Sequence, residues 1–229
     1  MAAPQPAITN TTARPRGRFR YLLVAQICLI ILVPFFDQPG VSLLLFRLVG
    51  ATVLLSAIYA VSEKRAQWIA ALALAIPAGV LNASLALDSS TRLNVAALLS
   101  TVVFLSFTLV TLLRAVVRAE AVTSDTIYGA LSVYLLMALT WGMAYLLLET
   151  LRPGTLHIDA ARHPGHTVDW FDCIFYSFVT LTSLGYGDIV PMTAQARSLS
   201  ILEAVTGIMY VAVLVARLVG LYTARQQST

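Results

Sequence analysis

Residues 180–188 read Thr180-Leu181-Thr182-Ser183-Leu184-Gly185-Tyr186-Gly187-Asp188. Two glycines flank a single tyrosine, and an acid closes the run. Glycine reaches backbone conformations that other residues resist, so alternating glycines let successive carbonyls turn to one side. A narrow ring of such carbonyls can replace the water shell of a monovalent cation. The hydroxyl of Ser183, at the base of the run, adds one more oxygen ligand. Alone, Gly-Tyr-Gly is an ordinary turn; its surroundings make it more. The apolar, Ser/Thr-rich stretch 170–184 that leads into it is too short to cross a bilayer, and a long apolar stretch, 199–222, follows. The run therefore reads as the tip of a re-entrant loop, preceded by a short helix whose negative C-terminal end points at the same cavity and favours a cation there.

Composition supports a membrane setting. Of 229 residues, 59% are hydrophobic and only 11% charged, against about a quarter charged in a soluble domain. So few charges cannot cover the outside of a soluble enzyme, and that class is excluded. The net charge of +4 does not indicate nucleic acid, because the basic residues cluster at the ends of apolar stretches. The two cysteines, Cys28 and Cys173, form neither a CxxC motif nor a disulfide framework.

A hydrocarbon core about 30 Å thick takes roughly 20 helical residues. Six stretches meet or approach that length: 19–36, 41–61, 68–87 (with Pro77 and Gly79 inside), 93–117, 127–148 and 199–222. The first resembles a signal peptide, but no small-residue cleavage site follows it, so it is expected to remain as a helix. With the N-terminus inside, Arg14, Arg16, Arg18, Arg20, Lys64, Arg65, Arg114, Arg118, Arg217 and Arg225 fall on the cytoplasmic side. Only Arg92, Arg152, Arg162 and Arg197 fall outside. That bias places both termini in the cytoplasm. Asp37, Glu149, Asp159, Asp169, Asp172 and Asp188 face outward, where they would concentrate cations. Arg47 lies within its span and is expected to snorkel to the outer interface.

The stretch 182–188 resembles the Thr-Thr-Val-Gly-Tyr-Gly-Asp signature of potassium channels, and the similarity extends over about 127–222 as outer helix, pore helix, filter and inner helix. The resemblance implies a bacterial six-span channel of the pore-loop superfamily: an all-α membrane protein with six transmembrane helices, a re-entrant pore helix and a filter loop, assembled as a homotetramer. It implies K+ ligands at Thr182, Ser183, Leu184, Gly185, Tyr186 and Gly187, with no cofactor beyond the permeant ion. The segments expected are a cytoplasmic tail (1–18), a four-helix membrane domain (19–117), a linker (118–126), the pore domain (127–222) and a short tail (223–229) with no room for a ligand-binding domain. Three residues depart from the family pattern. Ser183 replaces a threonine, Leu184 replaces valine or isoleucine, and Phe175 stands thirteen residues before Asp188 where many members carry tryptophan. Phe175 cannot donate a hydrogen bond, so Asp188 is expected to find another partner, Tyr176.

The remaining candidates carry two readings each. Gly207 stands where the family places a hinge glycine, or it permits close helix packing. Ile208, Val211, Val215 and Val219 recur at helical spacing and line an apolar pore that closes by dewetting, or face lipid. Glu203, an acid inside a span, is a brace behind the pore helix received by Thr180 or Tyr176, or an ion or proton site. His157, His163 and His166 lie on the loop before the pore helix, either as solvated residues or as pH sensors. The stretch 93–113 holds no arginine, so the leading helices lack a voltage-sensing ladder. The expected function is passive, potassium-selective conduction in the cell membrane, with lipid and like subunits as partners and neither nucleic acid nor small-molecule substrate. The alternatives are a weakly selective monovalent cation channel and, from another class, a secondary transporter or a membrane-embedded scaffold. A transporter calls for two related halves with broken helices, and no such repeat is visible.

Overall fold

A computed structural model describes residues 18–32, 35, 65–85, 90–119, 122–159 and 167–226. The expected second span (41–61), Arg47, His163 and His166 lie outside the described residues, as do Arg14 and Arg16. Among the described residues, six helices and two short strands follow in chain order: α1 (Arg18–Leu32), α2 (Arg65–Ser84), α3 (Thr91–Val117), α4 (Ser124–Leu151), β1 (Leu156–Ile158), α5 (Trp170–Leu181), β2 (Ile189–Pro191) and α6 (Ala194–Gln226).

Among the described residues, four helices are long and apolar enough to cross a membrane: those over Ala66–Ser84, Thr91–Val117, Ser124–Leu151 and Ala194–Gly220. At 1.5 Å per residue the 27 residues of α3 extend ~40 Å. The 15 residues of α1 extend only ~22 Å, short of the hydrocarbon core. Of the expected first span of 19–36, the structure describes the helix Arg18–Leu32 and residue 35; the rest of that stretch lies outside the described residues. Pro77 sits inside α2 without ending it.

Helix ends follow local chemistry. Thr123 caps α4, its hydroxyl accepting the Thr126 N–H at 3.2 Å. At the far end Pro153-Gly154 turns the chain, Gly154 taking φ 84°. Glu149 fastens that turn, accepting the N–H groups of Gly154 at 2.7 Å and Leu156 at 2.9 Å. A reciprocal capping box starts α5: Asp169 accepts from the N–H groups of Phe171 and Asp172, and the Asp172 carboxylate accepts from the Asp169 N–H at 2.8 Å.

Helix α4 is the centre of the molecule, packing against α1, α3, α5 and α6. Its buried Val133, Leu136, Ala138 and Leu139 share one core with Phe104 and Leu112 of α3 and Leu22 of α1. Close approach needs small residues here. A Cβ on Gly142 would lie 2.9 Å from the Ile174 Cα, so α5 is seated directly on the α4 backbone. Strands β1 and β2 pair antiparallel, with Leu156 opposite Pro191 and Ile158 opposite Ile189. This ribbon departs from the all-α expectation. It joins the segment before α5 to the segment after the loop, and so brackets residues 182–187 at their far end.

Candidate ion-conducting site

The loop grows out of α5 without a break in hydrogen bonding. Thr182 N–H donates to the Phe178 carbonyl at 3.0 Å, Ser183 N–H to Thr180 at 3.0 Å and Leu184 N–H to Val179 at 2.9 Å. The Thr182 hydroxyl donates back to the Phe178 carbonyl at 2.7 Å. Beyond that anchor the backbone alternates in hand. Ser183, Gly185 and Gly187 take φ of 58°, 65° and 79°, while Leu184 and Tyr186 between them do not enter the left-handed region. Alternating hand brings successive peptide N–H groups to one side and successive carbonyls to the other, an arrangement that makes a row of ligands. Among the described residues, no backbone N–H pairs with the carbonyls of residues 182–187. All six of these residues are exposed in the single chain. Ser183 is the one non-glycine held at positive φ among the described residues, a strain of about 1–3 kcal/mol of the kind concentrated at functional sites.

Side chains behind the loop hold it in place. The rings of Phe175 and Tyr186 stack with centroids 6.1 Å apart and planes within 2°. Phe175 thus supports the loop through its face. Asp188 is held by its own backbone neighbourhood: its carboxylate accepts the Ile189 N–H at 3.0 Å, and its carbonyl accepts the Asp159 N–H at 3.0 Å. Tyr176, expected at Asp188, lies elsewhere, with its hydroxyl 2.6 Å from Ser200 Oγ on α6.

Glu203 is fully buried behind α5, as a brace would be, but its partners differ from those expected. Oε1 lies 2.5 Å from Ser177 Oγ, and Oε2 accepts the Tyr145 hydroxyl at 2.7 Å. Neither Thr180 nor Tyr176 bonds it. Gly207 is pressed against the end of α5: an added Cβ would overlap the Leu181 carbonyl oxygen and lie 2.9 Å from Leu181 Cδ1. One turn on, Tyr210 donates to the Ala130 carbonyl at 2.7 Å and stacks on Tyr134, with centroids 5.9 Å apart. Ile208, Val211, Val215 and Val219 are exposed in the single chain, as are Ile201, Val205 and Met209.

Several contributors escape a reading of the sequence. Tyr145 and Ser177 are hydroxyls inside apolar helices, and the signal that points to them is the need of Glu203 for donors. Arg217, read only as a topology anchor, reaches across to the C-terminal end of α3 and donates to the carbonyls of Val116 at 3.1 Å and Ala119 at 2.7 Å. It thereby ties the lower part of α6 to the segment that precedes α4.

Residues 133–224 match the family model Ion_trans_2, described as "Ion channel". The chain is also similar to "Potassium channel protein kcv" of Paramecium bursaria Chlorella virus 1, with 35% identity over 47 residues, which is 20% of this chain and 50% of that protein. The chain thus spans about half the length of the curated relative it matches. No solved structure matches. The alternating loop, its stacked Phe175 and the buried Glu203 all fall within the stretch similar to ion channels, and that similarity supports an ion channel in a multi-pass membrane protein.

Proposed function

We propose that the protein is a potassium-selective channel, conducting K+ passively through a homotetrameric pore in the cell membrane. The observation that carries the reading is the alternation of left-handed backbone at Ser183, Gly185 and Gly187 along an exposed segment whose carbonyls accept no backbone N–H among the described residues. Carbonyls are the ligands that replace the hydration shell of K+. One such strand cannot surround an ion, so four subunits each contribute one. The apolar face of α6 that is bare in the single subunit then lies against its neighbours and the pore, and Ile208, Val211, Val215 and Val219 line the inner cavity. Gly207 serves as the pivot of the inner helix only in so far as its contact with Leu181 allows. Reconstituted alone into planar bilayers, the protein should give currents whose reversal potential follows the K+ gradient. A reversal that follows Na+ equally would establish the weakly selective alternative, which the larger Leu184 in the filter favours. Flux that requires a coupling ion would replace the channel with a transporter.

Orientation follows the arginine bias, with both termini cytoplasmic. A cysteine at His157, exposed on β1, should react with an impermeant thiol reagent from outside, and a cysteine at Ala66, at the start of α2, should not. Reaction at Ala66 from outside would invert the topology.

Gating should depend weakly on voltage. Arg92 lies in the first turn of α3 and Arg114 in its last, with none between. Each charge carried across the membrane contributes about 2.3 kcal/mol per 100 mV, so charges confined to helix ends supply little. A steep conductance–voltage relation, equivalent to several charges per channel, would contradict this.

A further inference from the structure

The hydroxyl cluster behind the pore helix has more close contacts than its hydroxyls have hydrogens. Ser177 Oγ lies 2.7 Å from the Ala138 carbonyl and 2.5 Å from Glu203 Oε1. The Tyr145 hydroxyl lies 2.7 Å from Glu203 Oε2. The Tyr176 hydroxyl lies 2.6 Å from Ser200 Oγ, which in turn lies 2.8 Å from the Ala196 carbonyl. Each of these five contacts needs its own hydrogen, because two oxygens this close without one repel. Ser177, Tyr145, Tyr176 and Ser200 supply one each.

The carbonyls settle where those four go. Ala196 only accepts, so the Ser200 hydrogen points at it, and Tyr176 must donate to Ser200. Ala138 only accepts, so the Ser177 hydrogen points at it. Tyr145 donates to Glu203 Oε2, because its other neighbour, Ser200, is 3.4 Å away. The contact between Ser177 and Glu203 Oε1 is then left without a hydrogen from any hydroxyl.

We infer that Glu203 is a neutral carboxylic acid whose proton lies on Oε1 and is donated to Ser177, a proton-binding site that bolts the inner helix α6 to the pore helix α5. Glu203, Ser177 and Tyr145 are all fully buried. Around the carboxyl, α4 presents Tyr145 and the Ala138 carbonyl, and α5 presents Ser177, with Tyr176 beyond Ser200. Among the described residues, no lysine, arginine or histidine pairs with it. An ionised carboxylate there would be a buried charge without a counter-ion, which is costly. It would also leave Ser177 with one hydrogen for two acceptors. Loss of the proton to solvent therefore strains the attachment of α5, and with it the base of the loop at Thr182, two residues beyond the Thr180 carbonyl that anchors Ser183.

The inference rests on the packing of α4, α5 and α6 and not on conduction, so it stands or falls apart from the channel reading. Infrared spectra of the full-length protein in lipid at neutral pH test it directly. The expected result is a carbonyl band of a protonated carboxylic acid that shifts in D2O and is lost in Glu203→Gln, whose amide N–H can still donate to Ser177 and whose oxygen can accept from Tyr145. A spectrum showing only carboxylate stretches, or a protonated-acid band that persists in Glu203→Gln, overturns the inference. Should Glu203→Gln fail to assemble, wild-type protein labelled with 13C-glutamate replaces it. The band must then move with the label, and an unmoved or absent band overturns the inference equally.

Discussion

Gly185→Ala is expected to assemble and to carry no potassium current. The reason is conformational rather than steric. A Cβ on Gly185 meets nothing within 4 Å in the single chain, but the residue sits at φ 65°, where an L side chain costs about 1–2 kcal/mol against the following carbonyl. The loop relieves that strain by rotating the peptide planes on either side of residue 185, and in the proposed channel those planes carry the carbonyls that face the ion. Gly154 supplies the control. It is held at φ 84°, also with open space around it, but in the turn between α4 and β1. Gly154→Ala should therefore lower thermal stability by a similar amount while leaving the current intact. Current through Gly185→Ala with unchanged selectivity would remove this loop from the conduction path, and equal loss in both variants would reduce the effect to general destabilisation.

The local parts of this site are legible in the sequence because short-range chemistry determines them. The short apolar stretch 170–184 holds the helix Trp170–Leu181, and the glycines at 185 and 187 mark the backbone they occupy. Long apolar stretches likewise read correctly: 93–117 becomes a helix over Thr91–Val117, and 127–148 one over Ser124–Leu151. What the sequence conceals depends on distant partners. The β1–β2 ribbon has three residues per strand, too few for any alternating pattern to show. Tyr145 and Glu203 lie 58 positions apart, and only the packing of α4 against α6 brings them together. The expectation that Tyr176 serves Asp188 fails for the same reason. Once α6 packs beside α5, Ser200 is the nearer partner of Tyr176, and the Asp188 carboxylate accepts from the N–H of its chain neighbour Ile189. Arg217 has an interfacial arginine's sequence signature and nothing more, yet it binds a helix end about a hundred residues away, where the exposed carbonyls and the negative end of the α3 dipole both attract a cation.

Gly207→Ala is expected to have the second large effect, and it separates the two readings of that residue. If Gly207 acts only as a flexible point in α6, alanine stiffens the helix, the channel assembles normally, and only its open probability changes. The structure favours a different outcome. The added methyl runs into the carbonyl oxygen of Leu181, the last residue of α5. That oxygen is main chain and cannot rotate aside like a side chain, so α6 must move away from α5 or α5 must shift. Overpacking of this kind costs about 1–3 kcal/mol per site, and in the proposed tetramer each of the four copies would incur it. The displacement would also spread to both neighbours of the contact, the Glu203 attachment one turn before it and the Tyr210–Tyr134 stack one turn after. Gly207→Ala should accordingly lower the melting temperature of the protein and reduce the yield of the proposed tetramer. Leu181→Ala should not rescue it, since that change removes Cδ1 but leaves the carbonyl in place. A Gly207→Ala protein with wild-type thermal stability and altered opening alone would show that the contact yields readily and that flexibility is the property position 207 requires.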